Sequence, residues 1–229
     1  MSKNACDLNS CFLCKSCLRE WLPAIAANKQ NFEIKKGTQL FTEGSKVHGI
    51  YFIYSGIVKV HKRWGAEKDL ILRFAQQGDI VGQMGLGIDS FYPVSATAIE
   101  TAMVCYVDMA FFETTLGVNH GFMRELVKVL ANQLQESEQR MRNLVHMPVK
   151  GRVAQALITL QNQFGVTEDG YINIELTRQD LASFTGAVYE SLFRVINDFV
   201  EAKMINVVGK SILIADLKAL IKLTKEIDL

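Results

Sequence analysis

Cysteines carry the first recognisable chemistry in this chain. There are five, and Cys6, Cys11, Cys14 and Cys17 crowd the first seventeen residues, with Cys105 alone further on. A thiolate is a soft ligand suited to zinc, copper(I) or iron–sulfur centres. Cys11-x2-Cys14-x2-Cys17 has the spacing with which a tight loop gives three ligands to a [4Fe–4S] cluster, the fourth coming from elsewhere. Cys105 is the only cysteine outside the N-terminal group, so it is the candidate fourth ligand, and Cys6 is the alternative within that group. The same thiols could hold zinc structurally or form a reversible disulfide with no metal at all. Cys105 alone also reads as a small buried hydrophobe. His48, His61, His120 and His146 show no ligand spacing with one another and read as surface or linker residues.

A second chemistry lies between Leu176 and Asn197. Thr177 can cap a helix, with Asp180 as its reciprocal partner. That first helix is short, with Leu181 and Phe184 facing inward, and Gly186 breaks it where a tight turn needs positive φ. A second helix begins near Ala187 and buries Val188, Leu192, Val195, Ile196 and Phe199. Its opposite face carries Tyr189, Glu190, Phe193 and Arg194. Helix, glycine turn and helix is the spacing of a DNA-reading unit whose second helix enters the major groove. Arginine can grip guanine O6 and N7 with two hydrogen bonds, and a carboxylate can accept from cytosine N4. Met204 to Ile214 then reads as a hairpin turning at Gly209-Lys210, a wing that brings Lys210 near phosphates. The alternative is an ordinary helical domain in which Glu190 and Arg194 merely pair at i,i+4.

These groups need elements to hold them. From about Asn31 to Val107 the chain shows strand-sized apolar runs broken by glycine: Ile50–Tyr54, Ile57–Arg63, Leu70–Phe74 and Ala102–Val107. Short strands at such spacing predict an antiparallel jelly roll. Met123, Val127, Leu130, Leu134, Ser137, Met141 and Leu144 then recur at steps of four and three, the period of a helix that pairs with a second copy. Ser137 is the one polar position of that seam and carries no charge. Pro148 ends the helix, placing a boundary near Met147. A further helix follows from about Val149 to Phe164, with Val153, Leu157, Leu160 and Phe164 on one face and Gly165 as its stop. The fold class is therefore α+β, with domains at 1–20 (cysteine-rich), 21–120 (β-roll), 121–147 (dimerisation helix and hinge) and 148–229 (winged helix-turn-helix).

Composition narrows the function. Net charge is +1 over 229 residues, so DNA contact must come from a local arrangement rather than a global field. The N-terminus lacks the apolar core of a secretory signal and no stretch approaches membrane-span length, which predicts a cytoplasmic protein with no membrane partner. There is no G-x-S-x-G, H-E-x-x-H or phosphate loop, so an enzyme is not expected. A cysteine-ligated electron-transfer protein could use the thiols but would not need Glu190 and Arg194 on a capped two-helix unit.

Thr177-Arg178-Gln179-Asp180-Leu181-Ala182, Gly186, Glu190, Arg194 and the Gly209-Lys210 wing together resemble the C-terminal domain of the Crp/Fnr regulators. Gly37–Gly44, Ile53–Gly56 and Gln77–Gly82 are similar to that family's β-roll, so the resemblance covers nearly the whole chain. It implies double-stranded DNA and RNA polymerase as partners, a homodimer, and DNA contact by Thr177, Arg178, Gln179, Tyr189, Glu190, Phe193, Arg194 and Lys210, with Glu190 and Arg194 as the recognition pair. Phe193 stands where the best-known members carry a small residue, and an aromatic there could meet a thymine methyl. Members that bind cyclic nucleotide use a glutamate on the ribose and an arginine on the phosphate. Here Gln83 and Val94 stand in those places. Losing the cation beside a buried phosphate is costly, so cyclic AMP is not expected, and the alternative is the same DNA-binding regulator controlled by a small-molecule or cyclic-nucleotide ligand in the β-roll. Ala98 to Cys105 resembles the strand that gives the oxygen-sensing Fnr branch its fourth cluster ligand. The resemblance implies that the cluster ties the N-terminal loop to the Cys105 strand, which is expected to lead directly into the helix ending at Leu144. Oxygen, nitric oxide or a change in redox state would release that tie.

Overall fold

The computed structural model describes residues 11–65 and 68–225. Cys6 lies outside them. The chain forms two compact units, Met1–Gln135 and Glu136–Leu229.

The first unit opens with α1 (Phe12–Ser16), a single 3-10 turn at Arg19–Trp21 and α2 (Leu22–Asn28). Among the described residues eight strands follow: β1 (Gln30–Ile34), β2 (Gln39–Phe41), β3 (Gly49–Ser55), β4 (Val58–Trp64), β5 (Lys68–Ala75), β6 (Ile80–Val81), β7 (Ser95–Ala98) and β8 (Ala102–Asp108). They form two four-stranded antiparallel sheets in the orders β1-β8-β3-β6 and β2-β7-β4-β5. Successive strand residues point to opposite faces. Ala102 and Val104 therefore join the core that includes Phe41, Val58, Val60 and Ala96. Cys105 and Val107 join a second apolar cluster on the other face. His61 departs from its expected surface placement. It is buried, with Nε2 2.9 Å from Thr97 Oγ1, because a bulge between Val60 and His61 turns it inward.

Asp108 accepts a hydrogen bond from Phe111 N (2.8 Å) and caps α3 (Met109–Val118), after which α4 runs over His120–His146. The β8 strand thus does not lead directly into the long helix, since α3 stands between them. Phe122 and Leu126 of α4 are buried in the second cluster. Met123, Val127, Leu134, Ser137 and Met141 are exposed, while Leu130 and Leu144 are half-buried. The predicted seam is therefore largely uncovered in the single chain.

The second unit contains the last turns of α4, α5 (Val149–Phe164), α6 (Arg178–Thr185), α7 (Tyr189–Glu201), the hairpin β9 (Ile205–Val208) and β10 (Ser211–Ile214), and α8 (Leu217–Thr224). Leu157, Leu160, Leu181, Leu192, Phe199 and Leu220 form its buried interior. The compact boundary falls earlier than Met147 for a physical reason. Arg140 donates to Phe184 O and lies 4.9 Å from the Phe184 ring centroid, and Arg152 Nη1 donates to Leu144 O at 3.1 Å. Those contacts fasten the end of α4 to α5 and α6. Phe184 is only half-buried as a result, with a guanidinium over its ring rather than apolar neighbours alone. Burial lowers the Arg140 pKa to about 10.

Candidate cysteine centre and nucleic-acid interface

α1 carries Cys14 one turn beyond its N-cap Cys11, and Cys17 is its C-cap. Cys11, Cys14 and Cys105 are buried in one cluster with Phe12, Phe52, Phe112 and Phe122, and Cys17 packs against it. Four thiols from two distant stretches thus meet one apolar face. Among the described residues, no group of three or more Cys, His, Asp or Glu side chains converges as a ligating set. Burial, and then the neighbouring Cys11, raise the Cys17 thiol to about 12. A metal would have to displace that proton. Soft donors, a three-plus-one supply and an apolar lining match an iron–sulfur cluster in the chemistry of the donors.

Sequence reasoning missed how this segment is fastened. Leu18 N donates to Asn119 Oδ1 at 2.9 Å, and Trp21 Nε1 donates to Thr115 Oγ1 at 3.1 Å. The Phe12 and Phe122 rings lie 5.6 Å apart. Asn119 and Thr115 are themselves buried, and Asn119 Nδ2 donates to Thr115 O at 3.0 Å. The cysteine segment therefore docks on the corner where α3 meets α4. The charge-free polar types of Asn119 and Thr115 gave no advance signal.

Gln83 opens a short 3-10 turn, Gln83–Leu86, that follows Gly82. Gln83 is 2% exposed. Its Nε2 donates to Gln133 Oε1 of α4 at 2.9 Å, and its own Oε1 is buried without a partner. Val94 is buried too. An amide already engaged with α4 and an apolar residue in place of a cation do not fit a cyclic nucleotide phosphate.

In the second unit the two-helix unit and the hairpin are built locally. Thr177 Oγ1 accepts from Asp180 N at 3.0 Å and donates to Asp180 Oδ2 at 2.6 Å, which caps α6 at both atoms. Gly186 sits at φ 64°, ψ 32°, the left-handed conformation that ends α6. Gly209 at φ 59° makes the wing turn, and Arg178 Nη2 donates to Gly209 O at 3.0 Å. Arg178 thereby braces the wing. Thr177, Gln179, Glu190, Arg194 and Lys210 are exposed. Among the described residues, no ion pair joins Glu190 to Arg194. Leu192, Val195, Ile196 and Phe199 are buried as expected. Val188 is not: it is 62% exposed, because it is the N-cap of α7 and precedes the helical face to which periodicity assigned it.

A β-roll joined to a winged helix-turn-helix defines a class of gene regulators. Residues 31–118 match the family model of the cyclic nucleotide-binding domain, and residues 151–223 match that of the Crp-like helix-turn-helix domain. The "Anaerobic regulatory protein" of Bacillus subtilis is 34% identical over 198 residues, covering 85% of this chain and 82% of that protein. A "CRP-like cAMP-activated global transcriptional regulator" of Mycobacterium tuberculosis is 27% identical over 197 residues, covering 85% and 88%. The structure of FixK2 from Bradyrhizobium japonicum superposes with a TM-score of 0.77 at 20% identity, over 87% of this chain and 98% of that one. The chain belongs to the Crp/Fnr family and is a DNA-binding transcription regulator. Among the described residues, no helix is long and apolar enough to cross a membrane.

Proposed function

We propose that this regulator acts as a homodimer, together with RNA polymerase, and senses oxygen, nitric oxide or redox state through a cysteine-held iron–sulfur cluster. The observation that carries this reading is the gathering of Cys11, Cys14, Cys17 and Cys105 on one apolar cluster that also holds the start of α4. When bound, a [4Fe–4S] cluster supplies a group that oxygen or nitric oxide destroys. Cys11, Cys14, Cys17 and Cys105 would hold it, which would tie the N-terminal segment to β8. That segment in turn holds Asn119, Thr115 and Phe122. Without that tie these contacts would loosen, and the first turns of α4 would lose a packing partner. The exposed stripe from Met123 to Met141 joins two copies. A shift along it changes the separation of two reading helices, which must match about one DNA turn. The uncharged Ser137 lets the pair stay joined while its heads reorient.

Cyclic AMP, which names several relatives, is not carried over, because Gln83 and Val94 do not suit it. Protein purified without air tests the reading through absorbance with iron and sulfide analysis. The expected result is a coloured protein with about four irons and four sulfides per chain. A colourless protein without iron overturns it, and stoichiometric zinc in its place supports the structural-zinc alternative.

A further inference from the structure

This inference rests on α7 being the DNA-reading helix. We infer that Val188, Tyr189 and Phe193 form a specificity surface that recognises the C5-methyl group of a thymine next to the base pair read by Arg194. Val188, Tyr189 and Phe193 are 62%, 44% and 50% exposed. The two rings stack along the helix with centroids 6.5 Å apart and planes 11° from parallel. None of the three is needed for the core, which Leu192, Val195, Ile196 and Phe199 already fill. Valine is among the weakest N-cap residues, and no side chain caps α7. The neighbouring α6 has a full threonine cap, so the chain can supply one where folding is the purpose. A local choice that folding disfavours marks a functional position.

The charged row is Glu190 and Arg194, and the aromatic row is Tyr189 and Phe193. Each pair is spaced i,i+4, so the rows run side by side on one helix face. Glu190 and Phe193 are spaced i,i+3, so the aromatic row adjoins the charged row through them and enters the groove beside it. In the major groove only thymine presents a methyl group, while the other bases present hydrogen-bonding edges that Val188 and Phe193 cannot satisfy. The apolar row therefore selects thymine beside the arginine-read pair.

Duplexes selected by the full-length, air-free protein from a randomised pool provide the test, with each thymine then replaced singly by deoxyuridine, which lacks only the methyl. The expected result is one thymine within a base pair of the Arg194-dependent position at which deoxyuridine weakens binding. Burying one methyl corresponds to about four-fold per half-site and about fifteen-fold when both half-sites are changed. In the F193A and Y189A variants the thymine–deoxyuridine difference vanishes, while the preference lost in R194A persists. Equal binding of thymine and deoxyuridine at every position, with R194A still losing selectivity, overturns the inference and leaves the reading helix standing. A methyl effect that survives V188S, Y189A and F193A together overturns the assignment to these residues. If no duplex is selected, the reading helix itself is wrong and this inference falls with it.

Discussion

Cys11, Cys14 and Cys105 lie within an apolar cluster roofed by Phe12, Phe112 and Phe122, whereas Glu190 and Arg194 stand in solvent on α7. The two units of the chain thus handle their functional side chains in opposite ways. A labile sensor group of the kind proposed would have to be kept from water and fastened to what it controls, and the buried thiols meet that need by being part of the packing. A reader must reach base edges, so its side chains project from a face whose other side is the core. Substitutions at the buried thiols should therefore carry a stability cost beside any loss of function, and those on α7 should change function alone.

The largest effect expected is that of Cys105→Ala. Air-free protein should lose all bound iron, while the metal-free variant should differ from wild type by only about 1 kcal/mol in denaturant unfolding, since one sulfur is removed from a packed site. Full iron retention would separate Cys105 from the centre and break the contrast at its root. Next comes Leu134→Glu. Two leucines lost from a paired seam remove about 3–6 kcal/mol, at 1.5–3 kcal/mol for each buried side chain, and like charges then face each other. Sedimentation should show a monomer with greatly weakened DNA binding, and an unchanged oligomeric state would place the interface elsewhere. Arg194→Ala should cost about 1–3 kcal/mol of discrimination between specific and altered sites, the worth of one bidentate pair. Its melting temperature should stay put, and a marked fall would show that Arg194 supports the fold. The smallest effect is Thr177→Ala, at about 1 kcal/mol of stability from the lost α6 cap, read by thermal unfolding. Base preference should be unchanged, which would sharpen the distinction between residues that build the reader and residues that read.

Local signals were legible without coordinates. Pro148, the steps of four and three from Met123, the Thr177–Asp180 cap and Gly186 act within one or two helical turns, so they placed α4, α5, α6 and the turn correctly. The four apolar runs became β3, β4, β5 and β8, whereas β1, β2, β6 and β7 are too short or too polar to stand out. Val188 was misassigned because periodicity extends a face past the point where the helix begins. The docking of Leu18 on Asn119 joins residues 101 positions apart, and the Gln83–Gln133 bridge joins residues 50 apart. The meeting of Cys105 with the N-terminal thiols has the same character.

By itself the sequence determined the elements and their exposed chemistry, because propensity, caps and hydrophobic period act between neighbours in the chain. Tertiary structure alone decided which thiols share one apolar cluster and where the N-terminal segment grips the start of α4. Those outcomes depend on two sheets closing over one core, and no short window of residues contains the contacts that close them.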